Sequence, residues 1–144
     1  MGNRGRKLSM QFEWPVQVYW EDTDAGGVVY HSQYLNFMER ARTEWLRHLG
    51  FIQTEMRETL GVLFVVRHID MHYKKPAKFD DTLIVRTCLI NQGRSFITFE
   101  QSILRGDLHG EEMLTSATVK VVCIDAEKFK PVSIPKLMLQ RFEC

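Results

Sequence analysis

The chain has little of what would place it in several large protein classes. Three cysteines occur in 144 residues, Cys88, Cys123 and Cys144. None forms a C-x-x-C pair or joins histidines at zinc-ligand spacing, which argues against a structural zinc site and a disulfide framework. Cys88 and Cys123 fall inside apolar runs and read as small core residues of a reduced, cytoplasmic chain. No apolar run approaches the roughly 18 residues of a membrane-spanning helix. The formal net charge is +1, so no global field favours nucleic acid, and any attraction to anions must be local. No G-x-S-x-G element appears, which argues against a serine hydrolase. Internal repeats and low-complexity segments are also lacking.

Hydrophobic residues make up 44% and charged residues 26%, an ordinary globular balance for one domain. The opening "MGNRGRKLSM" is basic and lacks the apolar segment of a signal peptide. Residues 1–11 therefore read as a disordered basic arm, with Met10 as an alternative start, and residues 12–144 as the folded domain.

Residues 16–20, "VQVYW", alternate and are rich in strand formers, with Pro15 marking a strand start. In "SQYLNFMERARTEWLRHLG", Leu35, Met38, Ala41, Trp45 and Leu49 recur at helical spacing, and Tyr34, Phe37 and Leu46 widen the stripe. Arg40, Arg42, Glu44 and Arg47 form the wetter flank. Ser32 is the expected N-cap and Gly50 the expected terminator. A short helix is expected at 53–59. From Val62 the period becomes two, giving strands at 62–73, 82–91, 95–105 and 113–124, separated by "KKPAKFDD", "NQGR" and "GDLHGE". "PVSIP" reads as the end of the ordered part. Strand, long helix and a run of antiparallel strands define an α+β class, with a curved sheet covered by one apolar helix.

The segment "EDTDAGGVVYH", residues 21–31, carries the candidate chemistry. It places two carboxylates, Asp22 and Asp24, before Gly26-Gly27 and a helix start. Hydrolysis at a carbonyl needs a nucleophile or a base that activates water, together with a group that stabilises the developing oxyanion. A carboxylate supplies the first, and a helix N-terminus with free N–H groups supplies the second. An Asp before Gly-Gly is also a common turn residue, and Asp22 reads as structural, bonding turn N–H groups. His48, His68, His72 and His109 show no ligand spacing, and no metal site is expected.

Residues 14–42, "WPVQVYWEDTDAGGVVYHSQYLNFMERAR", resemble the signature of YbgC-type acyl-CoA thioesterases, in the 4-hydroxybenzoyl-CoA thioesterase branch of the hotdog superfamily. "FVVRHIDMHYKKPAKFDDTLIV" and "ATVKVVCIDAEKFKPVSIP" resemble the same group. The resemblance covers residues 12–142 and implies an antiparallel sheet wrapped around a central helix. It also implies hydrolysis of acyl-CoA, with short chains favoured and no cofactor. Asp24 corresponds to the catalytic aspartate, as nucleophile or as general base. His31 corresponds to the histidine or aromatic residue at the start of the central helix, with its N–H as oxyanion donor. Gly27 and Tyr30 are expected beside the substrate. Arg94, in the "NQGR" turn, stands where related enzymes place basic residues toward coenzyme A phosphates, and Lys74, Lys75 and Lys78 form a second basic cluster.

The resemblance further implies a homo-oligomer, a dimer of dimers with sites between subunits, and an association with the Tol-Pal envelope system. Acyl carrier protein or phospholipid-synthesis enzymes are the implied partners, with peripheral attachment at the inner membrane face. Two competing readings stand beside it. One is a non-catalytic scaffold that binds acyl-CoA or acyl carrier protein, for which a carboxylate at the carbonyl has no use. The other is a hotdog dehydratase, whose His/Asp or His/Glu pattern "YHSQYLNF" does not supply.

Overall fold

The computed structural model describes residues 11–107 and 110–142. Residues 1–10 of the expected basic arm, His109 in the "GDLHGE" turn, and Cys144 lie outside the described residues. Five strands, β1 (Phe12–Gln17), β2 (Val62–Tyr73), β3 (Thr82–Gln92), β4 (Phe96–Asp107) and β5 (Gly110–Asp125), form one antiparallel sheet in the order β1-β3-β4-β5-β2. Three helices accompany it: α1 (His31–His48), α2 (Gln53–Leu60) and α3 (Lys136–Phe142). Among the described residues no helix is long and apolar enough to cross a membrane. A sheet wrapped on one long helix is the arrangement that the hotdog resemblance implies.

Alternation and turn chemistry set β2 to β5 where the sequence places them. The register slips at Val66/His68, Leu89/Asn91 and Ile103/Leu104 are irregularities of the bulge type that bend strands. On β3, Leu83, Val85 and Thr87 point inward and are fully buried. Cys88 belongs to the opposite parity, so it is half-buried rather than a core residue. Cys123 is the core thiol, and burial pushes its pKa up to about 11.

The first strand differs from expectation. It begins at Phe12, contains Pro15 and stops at Gln17. β1 is an edge strand with β3 as its one neighbour, a place where a residue without an N–H is tolerated. Residues 18–20 do not continue it. The Asp22 carboxylate accepts the Tyr19 N–H at 2.9 Å, and Thr23 Oγ1 donates to the Trp20 carbonyl at 2.8 Å. These local bonds draw Trp20–Asp22 into a 3-10 turn in place of a strand.

α1 buries Tyr34, Phe37, Met38, Ala41, Trp45 and Leu46. That stripe is centred one residue earlier than expected, which leaves Leu35 38% exposed. Tyr30 rather than Ser32 is the N-cap residue, and it makes no side-chain cap. Gly50 follows the helix with φ +98°, as a terminating glycine should. Arg42 does not join the wet flank. Its Nη1 donates at 2.8 Å to Oε1 of Gln101, a fully buried β4 side chain. Gln101 Nε2 in turn donates to the Met38 carbonyl at 3.1 Å and to Thr87 Oγ1 at 2.9 Å. Desolvation lowers the Arg42 pKa, and nearby Glu39 opposes the shift. Gln101 thus ties helix to sheet with its amide satisfied at both ends, as burial requires.

The chain also stays ordered past "PVSIP". α3 inserts Met138 and Phe142, both essentially inaccessible to solvent. Phe142 packs on Trp45 with ring centroids 5.2 Å apart, and Phe99 meets the same indole edge-on at 5.0 Å. Removing one such ring leaves a cavity as well as lost transfer energy. Phe142→Ala should therefore lower unfolding free energy by about 3–5 kcal/mol in urea titration. A loss under about 1 kcal/mol would show that α3 contributes little to the core.

Candidate active site

The residues after the 3-10 turn form a tight hairpin. Asp24 N–H donates to the Val28 carbonyl at 2.9 Å, Gly27 N–H donates to the Asp24 carbonyl at 3.0 Å, and Thr23 bridges Val29. This is a β-turn followed by a residue in the left-handed region, Gly27 at φ +80°. A Cβ on Gly27 would meet nothing within 4 Å. Glycine is therefore needed here for backbone conformation and not for space. Gly26 is the crowded position, where a Cβ would lie 3.3 Å from Asp24 Oδ1.

Asp24 Oδ1 accepts the Gly26 N–H at 2.8 Å. That contact satisfies the ordinary turn role of an Asp, and it also orients the carboxylate. Oδ2 has no protein hydrogen bond among the described residues. Asp22 behaves differently. It is 5% exposed, and its Oδ1 accepts Gln33 Nε2 at 2.9 Å from the first turn of α1 while Oδ2 holds Tyr19 N–H. The two acids of D-x-D are thus divided between a buried tie and a carboxylate facing outward.

The 74–81 segment fixes the other side of the hairpin. Val29 N–H donates to the Ala77 carbonyl at 2.8 Å, Val28 bridges Lys78, and Ala77 N–H donates to Tyr34 Oη at 3.0 Å. The start of α1 is thereby held against the hairpin. The first N–H groups of a helix have no intrahelical acceptor; in α1 the Gln33 N–H is met by the Tyr30 carbonyl at 3.0 Å, and Tyr30 supplies no side-chain cap.

Asp24, Tyr30 and His31 open into one cavity of about 410 Å³. Of the residues singled out in the sequence, Lys74 and Lys75 line it too, whereas Gly27 and Arg94 do not. Arg94 sits between β3 and β4, where its Nε donates to Ser133 Oγ at 2.8 Å. Lys75 is paired with Glu112 at 2.6 Å, and Arg105 joins Glu112 to Asp81. Five lining residues carry no site signal in the sequence: Val28, Val29, Pro76, Tyr34, which the helical stripe places in the core, and Tyr73. Tyr73 stacks on the His31 imidazole with centroids 4.5 Å apart and planes 14° apart. Its hydroxyl donates to the His31 carbonyl at 3.2 Å. Burial raises the pKa of both phenols, and for Tyr73 the neighbouring Tyr34 adds to the shift. No local pattern marks Tyr73, because its partners lie some forty residues away in the chain. A second cavity of about 290 Å³ lies between the middle of α1 and β2, β4 and β5, and it contains none of the candidate residues.

A curved antiparallel sheet on one helix, with an acidic hairpin at the helix start, is the hotdog architecture of thioesterases. The chain belongs to the thioesterase-like superfamily, whose family profile matches residues 18–142. Within it, the chain falls in the YbgC group. It is 50% identical over 129 residues to the acyl-CoA thioesterase YbgC of Haemophilus influenzae, spanning 90% of this chain and 92% of that one. Among solved structures, it is similar to a probable thioesterase from Bartonella henselae, with TM-score 0.80, 37% identity, and 87% and 99% of the two chains covered. The 4-hydroxybenzoyl CoA thioesterase from Pseudomonas sp. strain CBS-3 shares the fold, with TM-score 0.83 at 17% identity over 91% and 98% of the chains.

The buried tie yields a stability prediction. Asp22→Ala leaves Tyr19 N–H and Gln33 Nε2 without acceptors, which should cost about 1–3 kcal/mol. Chemical denaturation reads this directly. An unchanged midpoint and slope would mean that Asp22 does not hold the loop to α1.

Proposed function

We propose that the chain hydrolyses acyl-CoA thioesters to free acid and coenzyme A, with Asp24 as nucleophile or general base and the first turn of α1 as oxyanion site. The observation that carries this reading is that the Asp24 carboxylate and the uncapped start of α1 open into the same cavity. A thioester carbonyl placed at the helix start faces N–H donors on its oxygen and the helix dipole along the same direction. Asp24 Oδ2 is then available to attack the carbonyl carbon, giving a mixed anhydride, or to take a proton from water. The His31 N–H is the donor in this reading, Tyr30 borders the reacting group, and Gly27 shapes the turn that carries Asp24. A short acyl chain is the proposed substrate on the family resemblance alone. Arg94 keeps two Nη groups without a protein partner among the described residues, which leaves them for phosphates beyond the cavity. Acyl carrier protein, phospholipid-synthesis enzymes and the inner membrane face remain proposed partners on the family resemblance alone.

A panel of acyl-CoAs of increasing chain length, with thiol release followed by a chromogenic reagent, tests the activity. Asp24→Asn keeps the shape and removes the nucleophile or base, so turnover should fall by about 10² or more. Retention of most activity would exclude this site. His31→Pro deletes the N–H at a position where a helix accepts proline, and it should cost roughly 10²- to 10³-fold. His31→Ala keeps the N–H and should cost far less. Equal losses would assign the role to the imidazole.

Assembly as a dimer of dimers is part of the same proposal. β2 is a twelve-residue edge strand, with Val65 39% and Val66 44% exposed. An open apolar edge of this length is ordinarily paired or covered. Light scattering at micromolar concentration should report a multiple of the 16.9 kDa chain. A 16.9 kDa particle alone would refute assembly.

A further inference from the structure

We propose that Tyr73 is a positioning residue that aims the His31 N–H at the substrate carbonyl. The inference rests on the proposed oxyanion role of α1 and extends it to the opposite wall of the cavity. Three bonds other than the one to hydrogen leave the His31 Cα: to the side chain, to the carbonyl and to the amide nitrogen. Tyr73 grips two of them. Its ring lies flat on the imidazole at 4.5 Å, and its hydroxyl donates to the carbonyl at 3.2 Å. With the side chain and carbonyl held, the direction of the Cα–N bond is fixed relative to β2, and the helical φ of His31, the first residue of α1, then sets the N–H.

The grip is itself anchored. Tyr73 is the last residue of β2, paired with Thr115 of β5. The two residues that follow it, Lys74 and Lys75, both donate their N–H to the Leu114 carbonyl, at 2.8 and 3.1 Å. The Tyr73 ring meets Tyr34 edge-on at 5.3 Å, and the Tyr34 hydroxyl is held by Ala77 N–H. Asp22 on Gln33 and Ala77 on Tyr34 hold the following residues of the turn, but among the described residues Tyr73 is the one side chain that stacks on or hydrogen-bonds to His31 itself. A donor must meet the position of the oxyanion within a narrow distance range, and small misplacements at a reacting centre are costly. The sheet therefore determines the aim of a donor that the helix by itself leaves loose.

The test is a set of double variants assayed on one short acyl-CoA. Tyr73→Phe keeps the ring and deletes the hydroxyl bond. It should lower kcat by about 3- to 10-fold, the effect of one net hydrogen bond, with KM little changed because the donor acts chiefly in the transition state. The same loss should appear in the His31→Ala background, where the N–H and the carbonyl contact both persist. It should shrink to under about twofold in the His31→Pro background, where there is no N–H left to aim. Tyr73→Leu removes the ring as well and should lose more than Tyr73→Phe, with partial rescue by Phe at that position. If Tyr73→Leu fails to fold, by circular dichroism, the Phe series alone decides. A loss from Tyr73→Phe that persists undiminished with His31→Pro, or a rise in KM with kcat intact, would overturn the positioning role. A harmless His31→Pro would instead remove the oxyanion assignment itself, and this inference with it.

Discussion

The hydrogen bond between the buried carboxylate of Asp22 and the side-chain amide of Gln33 is the tie on which the site depends. Both groups are 5% exposed, so neither has water as an alternative partner, and separating them would leave two buried polar groups unpaired. The bond links the 3-10 turn after β1 to the first turn of α1. Everything between them, residues 23–30, is a closed loop whose ends cannot drift apart. Within that loop the hairpin has only to set the outward direction of Asp24. Structure and candidate chemistry are divided between two acids two positions apart, the inner one making the position of the outer one reproducible.

The same division recurs on a larger scale. α1 is held along its length by apolar packing and by Gln101, which reaches the Met38 carbonyl from β4 and draws Arg42 toward the sheet. Its N-terminal turn has no side-chain cap from Tyr30 and faces a cavity. A helix with a satisfied middle and an unsatisfied start can offer N–H groups to a ligand without loosening the core. The 74–81 segment completes this arrangement by receiving both the hairpin and Tyr34 along three consecutive residues, Ala77, Lys78 and Phe79.

Much of this was legible in the sequence wherever the determining forces are local. Strict alternation and Gly- or Pro-containing turns place β2 to β5 within a few residues; the acid–glycine–helix order marks Asp24 and His31, and the family resemblance adds Tyr30, all three of which the structure brings to one cavity. The departures have physical reasons. Pro15 looked like a strand start because its compatibility with an edge strand is visible only once the sheet order is known. The end of β1 was masked by strand-forming residues at 18–20 whose backbone is captured by Asp22 and Thr23. Leu35 fits a helical stripe as well as Tyr34 does, and only the curvature of the sheet decides between them. α3 is a single short amphipathic segment, too brief to announce itself. Tyr73 and the tether of Arg42 to Gln101 depend on contacts far apart in the chain, beyond the reach of any spacing rule.

The placement of the tryptophans has a practical consequence. Trp45 is enclosed between Phe99 and Phe142, whereas Trp20 is 68% exposed and touches Phe79, whose N–H donates to the Gly27 carbonyl of the acidic hairpin. One indole therefore senses the dry interior, and another the loop that carries Asp24. Their emission should differ in colour and in accessibility to a dissolved quencher. Two of the three tryptophans thus act as built-in optical reporters, one of core integrity and one of loop state, which substitutions to phenylalanine, at Trp14 as well, would separate.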